Sequence, residues 1–199
     1  MKRLNLLPFL TLMLLAVPAM AEDVIYAPKD CEFRITYPEA PSTASACNPD
    51  NPKQCHQVST FTKIYAMDTS IRINTTCNAA EPGMLEKYSG EVMKFTLQTM
   101  AKDNTDDYQT GFNDHGIAKQ AVLLGNKKMP DGTERLYMAQ IWIGKTSVFT
   151  IEGEVMAGTE ANETDIVFGN IFKSIRPESW DDEIAAKQDA AKADEKPKE

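Results

Sequence analysis

The chain has 199 residues, 42% of them hydrophobic and 25% charged, proportions that exclude wholesale disorder, a collagen-like fibre and a polytopic membrane protein. Acidic residues outnumber basic ones by 29 to 21, and losing Lys2 and Arg3 with an amino-terminal leader leaves 19 basic against 29 acidic, a net charge of −10. Repulsion from phosphate disfavours nucleic acid as a partner, since no basic patch offsets it.

Met1 to Arg3 is a short basic start, Leu4 to Leu15 is mostly apolar, and Ala19-Met20-Ala21 offers small residues where a signal peptidase reads. The apolar run is shorter than the ~20 residues that span a bilayer, and Pro8 interrupts it. Residues 1–21 are therefore predicted to be a signal peptide removed before Glu22, with no stable membrane insertion afterwards and a periplasmic or secreted destination. The remaining 178 of the 199 residues suffice for a single domain that buries roughly 70% of its unfolded surface. That domain is expected over residues 22–180. Residues 181–199 are mostly Ala, Lys, Asp and Glu without an apolar stripe, and read as a solvated, disordered tail.

All four cysteines, Cys31, Cys47, Cys55 and Cys77, lie in the first part of the mature chain, and an even count in an oxidising compartment predicts two disulfides. Cys31 shares parity with Phe33, Ile35 and Tyr37, and Cys77 shares parity with Ile71, Ile73 and Thr75, so each points to the apolar face of its own strand. Cys31 is thus expected to pair with Cys77, which leaves Cys47 and Cys55 to close a short loop around Asn48-Pro49-Asp50-Asn51-Pro52. Chain-entropy arguments give roughly 4 kcal/mol for the long bridge and 2.5 kcal/mol for the short one.

Phe33 to Tyr37 alternates apolar and polar residues and Pro38 ends it, the pattern of a strand, while Cys47 to Cys55 reads as loop. Gln57 to Met67 and Ser70 to Thr76, rich in Val, Ile, Thr and aromatic residues, predict a hairpin turning at Asp68-Thr69. From Leu85 to Met100 the spacing becomes helical, with Leu85, Tyr88, Val92, Phe95 and Met100 on one buried stripe beside Met93 and Leu97, and Pro82 near the first turn. Asp103 to Asp107 reads as an acidic loop. Three more strands are predicted at Gly116 to Leu124, Arg135 to Ile143 and Thr146 to Met156, with turns at Met129-Pro130-Asp131-Gly132 and Gly144-Lys145. A last helix opens at Asn162 and presents Ile166, Val167, Ile171, Phe172 and Ile175 before Pro177 stops it. Tight turns imply antiparallel pairing, so the expected fold is α+β, a single antiparallel β-sheet covered by two amphipathic helices as an α/β/α sandwich.

The strand Phe33-Arg34-Ile35-Thr36-Tyr37-Pro38, the helix after the first hairpin, and a terminal helix containing Ile171-Phe172-Lys173-Ser174-Ile175 together resemble the PsbP and Mog1 group of α/β/α sandwich proteins. The resemblance runs from about Phe33 to Pro177. It implies a non-enzymatic accessory, assembly or binding role, names no ligand, and carries over no functional residues.

Catalytic signatures are missing from the sequence: no Gly-x-Ser-x-Gly elbow, phosphate-binding glycine loop, Cys-x-x-Cys pair or His-Glu-x-x-His helix occurs. Cys47, Cys55 and His56 match no common zinc spacing, and an oxidising compartment favours the disulfide, so no metal is expected there. Asp103, Asp106 and Asp107 lack the spacing and glycine of a calcium loop, and the mature methionines lie at core spacing instead of clustering with His, so no cofactor is expected. Asp114 beside His115 has the chemistry of an acid/base pair, but Asn113-Asp114-His115-Gly116 reads better as a polar turn. Tyr137 and Trp142 fall on opposite faces of one strand, so with one in the core the other is expected to be solvent-facing. Tyr137, Trp142, Asp114 and His115 are accordingly the candidate contact surface.

The leading expectation is an exported, non-catalytic binding or accessory protein of the bacterial periplasm that contacts an envelope protein or a small ligand. The alternative is an inhibitor of, or immunity factor against, a secreted hydrolase, because an acidic surface steers basic enzymes to it. An enzyme using Asp114 and His115 ranks third.

Overall fold

Phe33, Ile35 and Tyr37 are fully buried while Arg34 and Thr36 between them stay half-buried, the burial alternation of a strand with one face in a core. The structure, a computed structural model, describes residues 23–48, 51–66, 69–102, 105–128, 132, 134–156 and 161–181. The signal peptide, the tail beyond Asp181, Asp103, the Asp68 turn residue and most of the Met129 to Gly132 turn lie outside the described residues.

In chain order the elements are β1 (Val24–Tyr26), β2 (Phe33–Tyr37), β3 (Ser42–Asn48), β4 (Asn51–Ala66), β5 (Thr69–Ala79), α1 (Met84–Lys87), α2 (Gly90–Ala101), β6 (Asp107–Asp114), β7 (Lys119–Lys128), β8 (Glu134–Ile143), β9 (Ser147–Met156), α3 (Ala161–Lys173) and β10 (Arg176–Pro177). The α+β class is as expected, but the described residues form two sheets, not one. A seven-stranded sheet runs β3-β4-β5-β9-β8-β7-β6, and a small sheet runs β1-β2-β10, with every neighbouring pair antiparallel. The Phe33 strand forms the second sheet because its buried face needs a partner layer; it lies over the large sheet, its Phe33 ring 6.0 Å from that of Phe149.

Side-chain alternation gives the large sheet two apolar faces. Ile71, Ile73, Trp142, Phe149, Ile151 and Val155 meet β2 and α3 on one side. Ala121, Leu123, Tyr137, Ala139 and Ile141 meet α1 and α2 on the other. Gly153 is where α3 comes closest: a Cβ there would lie 2.9 Å from both Ile73 and Phe168 and 3.1 Å from Phe172.

Several local expectations are corrected. The Cys47 to Cys55 stretch is strand where it is described: Cys47 and Asn48 end β3, β4 begins at Asn51, and Cys47 lies directly opposite Cys55 on the ladder; small polar residues form this edge strand without the apolar alternation that marks a buried one. The acidic stretch at Asp107 likewise enters strand β6, a second edge, and β7 starts at Lys119 instead of Gly116. The helix after the hairpin is two pieces, broken at Tyr88 and Ser89, where Ser89 caps α2 by accepting from the Val92 amide. Restarting at Gly90 shifts the phase, so Met93, Leu97 and Ala101 form the buried stripe while Val92 and Phe95 are 47% and 69% exposed. In α3, Phe168 takes the core position and Ile166 is 62% exposed.

Both predicted disulfides are present, Cys31–Cys77 and Cys47–Cys55. Cys31 and Cys77 pack against the β2–α3 core, as the parity argument requires. Beside it, the Tyr37 hydroxyl meets Thr75 at 3.4 Å, and Ser59 bonds Thr75 in turn. Burial pushes the Tyr37 phenol up to about 12, with the Thr75 and Ser59 contacts offsetting part of the effect.

Candidate functional site

The turn between β6 and β7 is built by its own polar groups. The Asp114 carboxylate accepts from the Gly116 amide at 2.8 Å, the His115 amide donates to the Ala118 carbonyl at 2.9 Å, and Gly116 supplies a φ of 77° that other residues rarely adopt. This is the polar turn expected from the sequence: Asp114 spends its oxygen on the backbone, and the His115 ring lies flat on Trp142, 5.5 Å between centroids and 11° between planes.

Trp142 sits near the end of β8, 3% exposed, packed on Phe33 at 5.8 Å, its indole N–H donating to Gln140 Oε1 at 2.9 Å. A third ring arrives from beyond α3. Trp180 meets His115 edge-on at 5.1 Å and Trp142 at 6.1 Å. Its position is set by neighbours: the Glu178 amide donates to the Glu32 carbonyl at 2.8 Å, and the Asp181 carboxylate is ion-paired to both Arg34 and Arg176. Both tryptophans of the chain and one of its two histidines thus converge at one end of the sandwich.

Beside the rings lies a cavity of about 450 Å³, with Phe33, Ile117, Ala118 and Pro177 among its apolar walls and Glu32, Lys145 and Glu178 at its polar margin. Glu32 holds the cavity's shape. Its carboxylate accepts from the amides of Lys145, Thr146 and Ser147 at 3.2, 2.7 and 2.9 Å, fastening β2 to the β8–β9 turn. Gly144 makes room for it, since a Cβ there would lie 2.3 Å from Glu32 Oε2. Partial burial raises the Glu32 pKa, but these amide bonds outweigh burial and leave it below its ordinary 4.5. A carboxyl with a depressed folded-state pKa adds stability that is present above pH 4.5 and lost as pH falls through the depressed value. Glu32→Gln is therefore expected to lower the thermal midpoint at pH 7 by roughly 2–6 °C, with the gap to wild type closing as the pH drops below 4.5. Thermal melts at stepped pH check this, and a gap independent of pH would count against the charge-assisted clamp.

The expected contact residues divide. His115 and Trp142 meet, and Asp114 shapes their turn. Tyr137 does not join them: it points to the opposite face of the sheet, where its hydroxyl donates to Glu152 at 3.0 Å beside Arg72 in a small hollow of about 180 Å³. The expectation that one of Tyr137 and Trp142 faces solvent is corrected, because each side of β8 is covered and both are 3% exposed. Trp180 was not among the expected contact residues. The available signal is the pairing of opposite charges, Arg34 and Arg176 with Asp181, that docks the segment after β10. Cys47 and Cys55 are joined to each other, so neither is a thiolate available to a metal.

No family model matches the chain, and no curated protein matches it. Among solved structures, the solution structure of cyanobacterial PsbP (CyanoP) from Synechocystis sp. PCC 6803 is similar with a TM-score of 0.51 and 11% identity, covering 80% of this chain and 95% of that one. The crystal structure of LpqN, described as involved in cell envelope biogenesis of Mycobacterium tuberculosis, aligns with a TM-score of 0.39 and 14% identity over 80% of this chain and 85% of that one. The first of these likenesses extends over nearly the whole of its relative and gives this chain a PsbP-like fold.

Proposed function

We propose that this is an exported, non-catalytic accessory protein of the bacterial envelope that docks a partner protein on the end of the sandwich marked by His115, Trp142 and Trp180. The observation that carries the reading is the convergence of these three rings beside a cavity of about 450 Å³. Aromatic side chains concentrate binding energy where they flank a pocket, and the apolar walls with charged margins suit an apolar side chain presented by a partner. The two disulfides support export, because such bridges persist in oxidising compartments. The use of Asp114 as a turn-former supports a binding role over acid/base chemistry.

A photo-crosslinking amino acid placed at Ile117 or Lys145, on the cavity wall, is expected to trap a discrete envelope protein in living cells. The same group at Thr62, exposed on β4, serves as the control. Loss of the adduct on adding Trp180→Ala supports the proposal; equal adducts from all three positions, or none from Ile117 and Lys145, overturns it.

A further inference from the structure

Helix α3 packs on β2, β5 and β9, and beyond it the same face of the large sheet continues across β7 and β6. There Gln109, Gly111 and Asn113 are exposed, opposite Leu124, Val122 and Gln120 respectively. A row of amides crosses this face. Asn113 Nδ2 donates to Gln120 Oε1 at 3.0 Å, Gln120 Nε2 donates to Gln140 Oε1 at 3.1 Å, and Gln140 Nε2 donates to the Phe172 carbonyl at 3.5 Å. The Trp142 indole also donates to Gln140 Oε1. An indole N–H only donates and a main-chain carbonyl only accepts, so the orientation of Gln140 is fixed at both ends and fixes Gln120 and then Asn113. The row ends at the exposed Asn113 amide, which presents its carbonyl oxygen and a second N–H, with the donors and acceptors behind it already aligned.

His115, two residues on and stacked on Trp142, closes one end of the strip. At the other end the strip opens into a cavity of about 370 Å³ bordered by Gln109, Leu124 and Asp107. From Asn113 to Gln109 the strand advances about 13 Å. Gly111 lies midway, and a Cβ there would meet nothing within 4 Å. Between His115 and Asp107 this face carries no charged side chain among the described residues of β6, β7 and β8.

We infer that this trough binds a linear, neutral oligosaccharide. A hydroxyl donates and accepts from one atom, matching the carbonyl and N–H that Asn113 presents together. The C–H face of a sugar ring matches Val122 and the 40% exposed Leu124. Between His115 and Asp107 an ion finds no counter-charge, and an anion is repelled by a chain of formal charge −8. The inference goes beyond the docking end proposed above. His115 borders both sites, but the trough is read at Asn113, Gln120 and Gly111 and the docking end at Ile117, Lys145 and Trp180, so the two readings fail separately.

The test follows the side-chain amide signals of the full mature protein by NMR while cellotriose, maltotriose or chitotriose is added, with trialanine as control. At least one trisaccharide is expected to shift the Asn113 and Gln120 amides with a Kd on the order of 1 mM. Gly111→Leu, filling open space on an edge strand, is expected to weaken that binding about tenfold or more with no fall in the thermal midpoint. The inference is overturned if no trisaccharide moves these signals at ~10 mM, well above that Kd. Shifts that persist unchanged in Gly111→Leu, or that trialanine reproduces, overturn it as well.

Discussion

Replacing Cys31 and Cys77 together with alanine is expected to remove about 2–5 kcal/mol of folding free energy, read as a lower urea midpoint with a slope that rises as the uncross-linked unfolded chain exposes more surface. The bridge closes a separation of 46 residues and fastens the segment before β2 to β5, so its loss returns loop-closure entropy to the unfolded chain. Cys47 and Cys55 are 8 residues apart and already opposed on one ladder. Their double replacement is expected to cost no more than about 2.5 kcal/mol. A larger loss from the short bridge than from the long one would contradict the assignment of β2 as the element that needs stapling.

Phe172→Ala is expected to destabilise the protein by about 3–5 kcal/mol, because a fully buried ring leaves a cavity under α3 that rigid neighbours cannot fill. Phe172 packs on Phe168 at 4.9 Å and lies over Gly153. Gly153→Ala alone is expected to cost about 1–3 kcal/mol by overpacking. The two changes should not add: with the Phe172 ring gone, part of the space the new methyl needs is open, so the second cost shrinks. Strict additivity in a double-mutant cycle by urea denaturation would show that α3 does not rest on Gly153.

The sequence carried the buried strands and both disulfides well, because a strand with one face in a core must alternate. Phe33, Ile35 and Tyr37, and Ile71 and Ile73, do so openly. The edges were illegible for the complementary reason. In β3 and β6 little is buried on either side, so Ser-Thr-Ala-Ser and Tyr-Gln-Thr-Gly satisfy strand geometry without displaying its period. The register of α2 was lost to a local event, the Ser89 cap and the helix restart at Gly90. A Cβ on Gly90 would lie 2.7 Å from Phe112 of β6, which no reading of apolar spacing detects. At the candidate site His115 and Trp142 were visible as unusual residues. Their union with Trp180 depends on ion pairs between β2, β10 and Asp181, contacts separated by most of the chain.

If the end of the sandwich holding His115, Trp142 and Trp180 docks a partner protein, as proposed, binding there should be visible in tryptophan fluorescence. Both tryptophans of the chain lie there, so intrinsic emission reports on that end without a label. Adding the partner recovered by cross-linking from Ile117 or Lys145 should shift or quench the emission saturably, and Trp180→Ala should weaken the interaction by roughly tenfold or more, as the loss of an aromatic anchor does. A partner that binds the wild-type protein and leaves its tryptophan emission unchanged, with equal affinity for Trp180→Ala, would contradict the account.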